Sequence, residues 1–514
     1  MNHSLILVTV LLVLAFCGPM TGVGAAGESS REGSSQHYLA ADVPLGSYVY
    51  DYLEKLDGLG YLKDMRTGAK PYSRLQAARW TREIALATLG KGDVPGYARE
   101  MVMRLEREFG PELARLEGKK AERELKLKDW TVSSAYYHGD SLQELGTKAS
   151  WQPLNTNNGG LRYDNGLNAA AEFTVDGGIK DWLVYSVTPR FSVSGEETKA
   201  ELKEGYVKTG LNNVALTVGR ENLWWGQGAR GSRSLTNNAT PFTSARLTNV
   251  DALDSRWLGP SYVTVLYSVL EEDRADVRYP SLAGIRGDFV PGRNFTFALS
   301  RMDIVGGQGH MLNRSELRDY LFGNNASLAE DDWDTQAGGD FRWRLPKAGG
   351  VQVYGEVYGE DQAGSIPVPS ELAELVGVYV PRLSGSGDWD LTLEWAHTRP
   401  SWYRHSLYTN GWTYKDSIFG DVMGANALRY YGKVTRYLPG EVQLSVNAER
   451  LVQNFSGDVS QTVDSLWLAA RKEIGPEVFL SGSLGVAKVR NVNYTEGATG
   501  HNYLAAVSIT REFY

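Results

Sequence analysis

Between Arg220 and Phe242 the chain gathers two adjacent indoles, Trp224 and Trp225, with the guanidinium groups of Arg230 and Arg233 and amides that include Gln227, Asn237 and Asn238. These are the side chains that hold sugars. A sugar ring packs its C–H face on an indole, while guanidinium forks and amides hydrogen-bond hydroxyls and carboxylates in pairs. The glycines between them let the backbone approach a ligand closely. The stretch follows an alternating run, Val214 to Val218, and is too long and too glycine-rich to be a turn. Trp pairs beside glycine also occur where only packing is at stake, so composition leaves both readings open.

Other chemistry has little support in the residues. The histidines at 3, 37, 138, 310, 397, 405 and 501 are scattered, with no His-Glu-x-x-His and no Cys-x-x-Cys, so no zinc site is expected. There is no Gly-x-Ser-x-Gly and no P-loop. His405 and Ser406 are adjacent, and neighbours in a strand point opposite ways, which makes them a poor base and nucleophile. Glu330, Asp331, Asp332 and Asp334 could hold calcium, but such runs are more often solvated loop. No cofactor, metal or catalytic residue is expected. Arg220, Arg342 and Arg344 read as members of an internal salt-bridge network.

The order of residues carries a resemblance. Gly219-Arg220, Trp224-Trp225-Gly226-x-Gly228, Gly231-Ser232, Asn237-Asn238-Ala239 and Pro241-Phe242 together resemble the signature of the capsule-assembly Wzi family. So does Tyr403 to Lys415, and a third segment, Leu345-Pro346 through Gln352 to Glu356, fits as well. The resemblance runs from about Trp130 to Tyr514. It implies an outer-membrane β-barrel of about eighteen strands that attaches or assembles surface polysaccharide, as a lectin and not an enzyme. On this reading the polymer meets Trp224, Trp225, Arg230 and Arg233 in one long external connection. In the other it meets Trp402, Tyr403, Arg404, Tyr408, Trp412 and Tyr414. The aromatics would stack and the arginines would pair with carboxylates or phosphates. Gln227 stands where the family suggests a residue such as Pro, and Asp416-Ser417 where it suggests Gly-Arg. These departures leave capsule and other exopolysaccharides both open. The alternative function is a carbohydrate-selective outer-membrane porin.

These connections need a scaffold. The net charge of -8, from 53 basic and 61 acidic residues, gives no nucleic-acid signal. The mean hydropathy is negative and only Leu5 to Phe16 is a long apolar run, which excludes a helical membrane protein but not a barrel. Leu5 to Phe16 reads as the core of a signal peptide covering 1–26, although Met1 to Ser4 carry no Lys or Arg. Cys17 is the single cysteine, so no intramolecular disulfide is possible. Leu14 to Cys17 faintly resembles a lipobox, but bulky Phe16 argues against it. Residues 27–41 read as a flexible linker.

Residues 42–128 read as a small α-helical periplasmic module. Val49, Leu53 and Leu56 share one helical face, and Ser73 with Gln76 has the spacing of a capping box before Ala77, Trp80 and Ile84. Helix continues from Pro95 to about Leu127, with a break at Gly110-Pro111. Asp42-Val43-Pro44, Tyr48, Leu53, Leu59-Gly60 and Pro71 to Arg74 are similar to one S-layer-homology repeat. The stretch 42–89 is therefore either a contact for cell-wall polymer or a plain packing module.

From residue 129 to 514 the period becomes two. Trp389, Leu391, Leu393 and Trp395 alternate with Asp390, Thr392, Glu394 and Ala396. Val442 to Ala448 alternates with Gln443 to Glu449, and Leu183 to Val193 alternates with Trp182 to Ser192. Tight turns near 177, 212, 259, 291, 347, 386, 439 and 475 alternate with longer connections, the long ones near 138–164, 222–243, 305–333 and 399–426. That order fits a mainly β protein, a transmembrane antiparallel barrel with the about eighteen strands that the resemblance implies. The closing strand, Tyr503 to Tyr514, ends on aromatics and suits the barrel-insertion machinery. Surface polysaccharide and outer-membrane lipid are the other expected partners.

Overall fold

The computed structural model describes residues 39–119, 125–195, 197–322, 333–362 and 369–514. The expected signal peptide and most of the linker lie outside these residues, as do Glu330, Asp331 and Asp332.

The wall of the molecule is one closed antiparallel sheet. Its strands are β1 Lys126–His138, β2 Gly166–Ile179, β3 Leu183–Ser194, β4 Glu197–Leu211, β5 Val214–Arg220 and β6 Thr243–Asn249, the last continued by Leu253–Ser255. They go on with β7 Gly259–Val269, β8 Ser281–Gly292, β9 Phe295–Val305, β10 Trp333–Leu345, β11 Val351–Gln362 and β12 Pro369–Val380. The circuit ends with β13 Trp389–Thr398, β14 Ala427–Leu438, β15 Val442–Gln453, β16 Gln461–Gly475, β17 Val478–Arg490 and β18 Thr499–Glu512. Eighteen wall strands result, as the resemblance implies and the turn-and-loop order fits. β18 closes on β1, with Trp130 opposite Arg511 and His138 opposite Tyr503, so no edge is left open.

Alternation sorts the two faces. On β13, Asp390, Thr392, Glu394 and Ala396 are buried while Trp389 and Leu393 face outward. On β15, Asn447 and Glu449 are buried while Leu444 and Val446 face outward. β3 keeps Ser186, Thr188 and Arg190 inside, with a register shift at Thr188/Pro189. Trp182, expected to face inward, is exposed because it lies in the turn before β3. Trp257, Trp343 and Trp389 sit outside toward the short-turn end, and Tyr136, Tyr430 and Tyr503 toward the other, with aliphatic side chains between. This is the pattern of a wall that meets lipid. No helix among the described residues is long and apolar enough to cross a membrane.

The helices α1 Tyr48–Gly58, α2 Arg74–Thr88, α3 Gly96–Glu108 and α4 Gly110–Leu116 pack together around Leu53, Leu56, Trp80, Ile84 and Leu105. Tyr437 of the barrel belongs to the same cluster. The bundle docks on the short-turn end of the wall. Tyr97 donates to the Gly387 carbonyl at 2.7 Å, Arg79 pairs with Asp251 at 2.7 Å, and fully buried Arg104 pairs with Glu512. Helix does not reach Leu127. It stops at Leu116, and the wall begins at Lys126, a little before the expected boundary. Ser73 does cap α2, but its side chain makes no capping bond, and Gln76 accepts from Tyr262 of β7 instead.

Candidate functional site

The connection 221–242 leaves β5 and turns into the lumen. There Trp224 and Trp225 pair as a short strand with Lys70 and Ala69 of the helical bundle's own 59–73 connection. The Gly226 N–H extends the pairing by donating to the Gly68 carbonyl at 2.7 Å. Gly226 has a φ of 135°, and a Cβ there would stand 2.5 Å from Glu356 Oε1. Only glycine fits that conformation and that approach. A chain segment from the short-turn end and a loop from the long-loop end thus meet inside the barrel.

Carboxylates from the wall hold this loop by its backbone. Glu356 of β11 accepts from the Gly228 and Arg233 N–H groups, each at 2.7 Å. Glu394 of β13 accepts from the Arg230 N–H at 3.1 Å and from the Tyr354 hydroxyl at 2.9 Å. Gln227 donates to Asp340, which also pairs with Arg286 at 2.7 Å. Arg342 and Arg344 face inward to Glu54 and Asp57 of α1, whereas Arg220 donates to the Leu202 carbonyl.

The connection 399–426 folds in beside it. Trp402, Tyr408 and Trp412 have no exposed surface, and Tyr403 and Tyr414 have little. The Trp412 indole donates to Asp334 at 2.9 Å, and Tyr408 donates to the Gly306 carbonyl at 3.0 Å. Tyr403 receives the Asp421 N–H at 2.9 Å and donates to the Arg233 carbonyl at 3.2 Å. Arg233 is fully buried between Asp421 and the Met423 sulfur. Burial alone would raise the Asp421 carboxyl, but Arg429 and Arg233 hold it below the usual carboxylate range. The aromatic core of this plug includes Trp225, Phe242, Trp402, Trp412 and Phe419.

Of the ten residues singled out from sequence, the structure therefore brings together all but turns most inward. Trp224, Trp225, Arg233, Trp402, Tyr403, Tyr408, Trp412 and Tyr414 are buried plug residues. A sugar cannot stack on them while the plug is closed. Arg230 and Arg404 keep partial exposure. Arg230 pairs with Glu449 and donates to Thr156, and Arg404 donates to the Leu145 carbonyl at 2.9 Å. The two connections packed inside the wall occupy lumen that a porin would keep open.

The sequence places a long connection near 138–164 but singles out none of its residues; this connection, 139–165, lies over the second signature loop. Arg162 donates to the Asp416 carbonyl at 2.9 Å and to Ser417. The Ser150 N–H also donates to the Asp416 carbonyl, at 3.0 Å. Lys148, Arg162 and Lys415 are exposed here, beside the partly exposed Arg404. Nothing in the spacing of Lys148 or Arg162 marks them; only the length of their connection does. Glu144, in the same connection, is buried and accepts from the Ala425 N–H at 3.0 Å. Burial pushes its carboxyl up to about 8, against the pull of the Ala425 N–H and Arg404.

A closed barrel with an apolar belt outside and its own loops packed inside defines a plugged membrane-spanning β-barrel. The model of the family described as capsule assembly protein Wzi matches residues 137–504. The chain belongs to that family. Its fold is similar to that of Escherichia coli Wzi, at 18% identity and a TM-score of 0.68, covering 93% of this chain and 99% of that one. That protein is described as an outer-membrane, carbohydrate-binding β-barrel involved in group 1 capsule assembly. Pseudomonas aeruginosa OprD aligns at 9% identity and a TM-score of 0.45, over 77% of this chain and 98% of that one. Pseudomonas aeruginosa OpdL aligns at 12% and 0.45, over 76% and 99%. No curated protein matches the chain by sequence.

Proposed function

We propose that this protein is an outer-membrane lectin that holds surface polysaccharide, capsular or another exopolysaccharide, during its assembly on the cell, without catalysing a reaction. Family membership carries this reading, together with the plug that the two signature loops build. The short turns and the helical bundle would face the periplasm and the long connections the exterior. The carbohydrate binding described for Escherichia coli Wzi, the structural neighbour, supports the same assignment.

The buried signature residues Trp224, Trp225, Arg233, Trp402, Tyr403, Tyr408, Trp412 and Tyr414 serve by fixing the plug's outer surface. Polymer contact falls on that surface, at Arg230 and Arg404 from the signatures and at Lys148, Arg162 and Lys415 around them. Guanidinium and ammonium groups there would pair with the carboxylates or phosphates of an acidic polymer. Each exposed contact is weak, but a repetitive polymer engages many copies, and avidity multiplies them. The test is a combined charge reversal, Lys148→Glu, Arg162→Glu and Arg404→Glu, in protein that still reaches the membrane and still migrates faster unboiled. Cells carrying it should shed polysaccharide that the parent retains. Equal retention would remove this surface from the binding site.

A further inference from the structure

Three of the plug's charged anchors, Asp340, Glu356 and Glu394, stand on β10, β11 and β13, and a fourth, Glu449, stands on β15. On the side formed by β15 to β18 and β1, many inward positions are small and neutral, Ser133, Ser445, Asn447, Ser481, Ser483 and Ser508, and Trp467 and Arg471 stand beside them. A cavity of about 500 Å³ runs along them. It meets a second space, of about 330 Å³, next to the helical bundle; Asp51, Gln443, Arg471, Ser481 and Ser508 line both. Pro44 and Gly46, which line the second space, are exposed. A space this large and this rich in hydroxyls and amides holds water.

Toward the long-loop end the cavity reaches Trp467. The Leu154 methyl groups lie over Gly485, 3.0 Å from where a Cβ on that glycine would be, against Trp467. Leu154 has a φ of 70°, a left-handed conformation that a branched side chain rarely adopts. The turn around it is held by the Asn155 N–H on the Gln152 carbonyl at 3.1 Å and by Asn155 on the Leu161 carbonyl at 3.0 Å. Strain of this kind persists only where surrounding contacts impose it.

We infer that this lane is a gated path for water and small neutral, hydroxyl-bearing solutes past the plug, with Leu154 as its outer lid. The cations along it are paired, Lys433 with Asp51 at 3.9 Å, Arg471 with Glu512 at 3.8 Å, Arg74 and Lys128 with Glu108, and Lys203 with Glu172, so neither sign dominates the lining. The path is separate from the polymer surface proposed above, and either can fail without the other.

The full chain in proteoliposomes tests it by isosmotic swelling in arabinose. Leu154→Gly, which suits the left-handed backbone, should swell several-fold faster than the parent. Adding Ser483→Trp, which fills the lane, should return the rate to that of the parent. Swelling of Leu154→Gly no faster than the parent, or a double variant as fast as the single one, overturns the inference. A second measurement does not depend on the lid. In a Cys17→Ser background, the thiol introduced by Ser483→Cys should react with a small neutral methanethiosulfonate and resist a polymer-linked maleimide. A thiol that does not react with the small reagent overturns it as well.

Discussion

Arg233, from the first signature loop, and Asp421, from the second, are both fully buried and meet as an ion pair inside the lumen. Arg429 of the wall reaches the same carboxylate at 2.6 Å. One acid thus ties two loops to the barrel. Charges taken out of water are tolerated only when paired, and removing one partner is far more costly than never having had the pair.

Arg233→Ala should therefore loosen the plug and spare the wall. A cost of roughly 3–5 kcal/mol is expected for breaking a buried pair. The variant should keep its faster unboiled migration while external protease cuts within 221–242 or 399–426, which are protected in the parent. Unchanged protection would mean that Glu356 and Glu394 alone suffice to seat the loop.

Trp412→Ala attacks the same plug through its apolar core. Trp412 has no exposed surface and gives its indole N–H to Asp334. Loss of a buried Trp costs roughly 3–5 kcal/mol through the transfer and cavity terms together. Protease should then open 399–426, and cells should shed more polysaccharide than those with the parent. A cut loop with undiminished retention would show that this loop is not the platform the polymer rests on.

The wall was readable because its rule is simple. A strand with lipid on one side and lumen on the other alternates, as Trp389 to Ala396 does, and the alternation does not depend on what fills the lumen. The fate of Trp224 and Trp412 was not readable, because an indole that stacks a sugar and one that packs a plug have the same neighbours in sequence. What decides between them is Asp334, Glu356 and Asp421, which come from distant parts of the chain. The insertion of Ala69-Lys70 beside Trp224-Trp225 was invisible for the same reason: two-residue pairings have no period. Gln76 shows the reverse error, since a correct capping spacing was overridden by Tyr262 of the wall.

Gly68→Val should uncouple the helical bundle from the plug. Gly68 has a φ of 72°, and a Cβ there would stand 2.7 Å from Arg286 Nη2 and 2.9 Å from Asp340 Oδ1. A β-branched residue fits neither the conformation nor the space. The Gly226–Gly68 hydrogen bond and the Trp225–Ala69 pairing should be lost together. Amide hydrogen exchange reads this directly: protection at Gly226, whose N–H donates to Gly68, should fall, while that of Trp225, whose N–H donates to Leu235, and of α2 and α3 stays. Protection kept at Gly226 would mean the lumen accommodates the side chain by shifting Arg286.

Glu144 gives the protein a pH dependence of known sign. Its carboxyl, near 8 in the folded protein, titrates near the ordinary value of about 4.3 when unfolded. Between these values the folded state binds the extra proton, so stability from this group is fully present below about pH 4.3 and is lost as pH rises to about 8. The slope can reach at most about 1.4 kcal/mol per pH unit, and it flattens above the folded value. The seal weakened is the one Glu144 of 139–165 makes with the Ala425 N–H of 399–426 and with the Gln453 amide at the end of β15. Protease cleavage of these connections should therefore speed up from pH 5 to 8 in the parent. Glu144→Gln, neutral throughout and able to accept the same N–H, should show no such rise. A parent and variant with parallel pH profiles would place the pH-sensitive contact elsewhere in the plug.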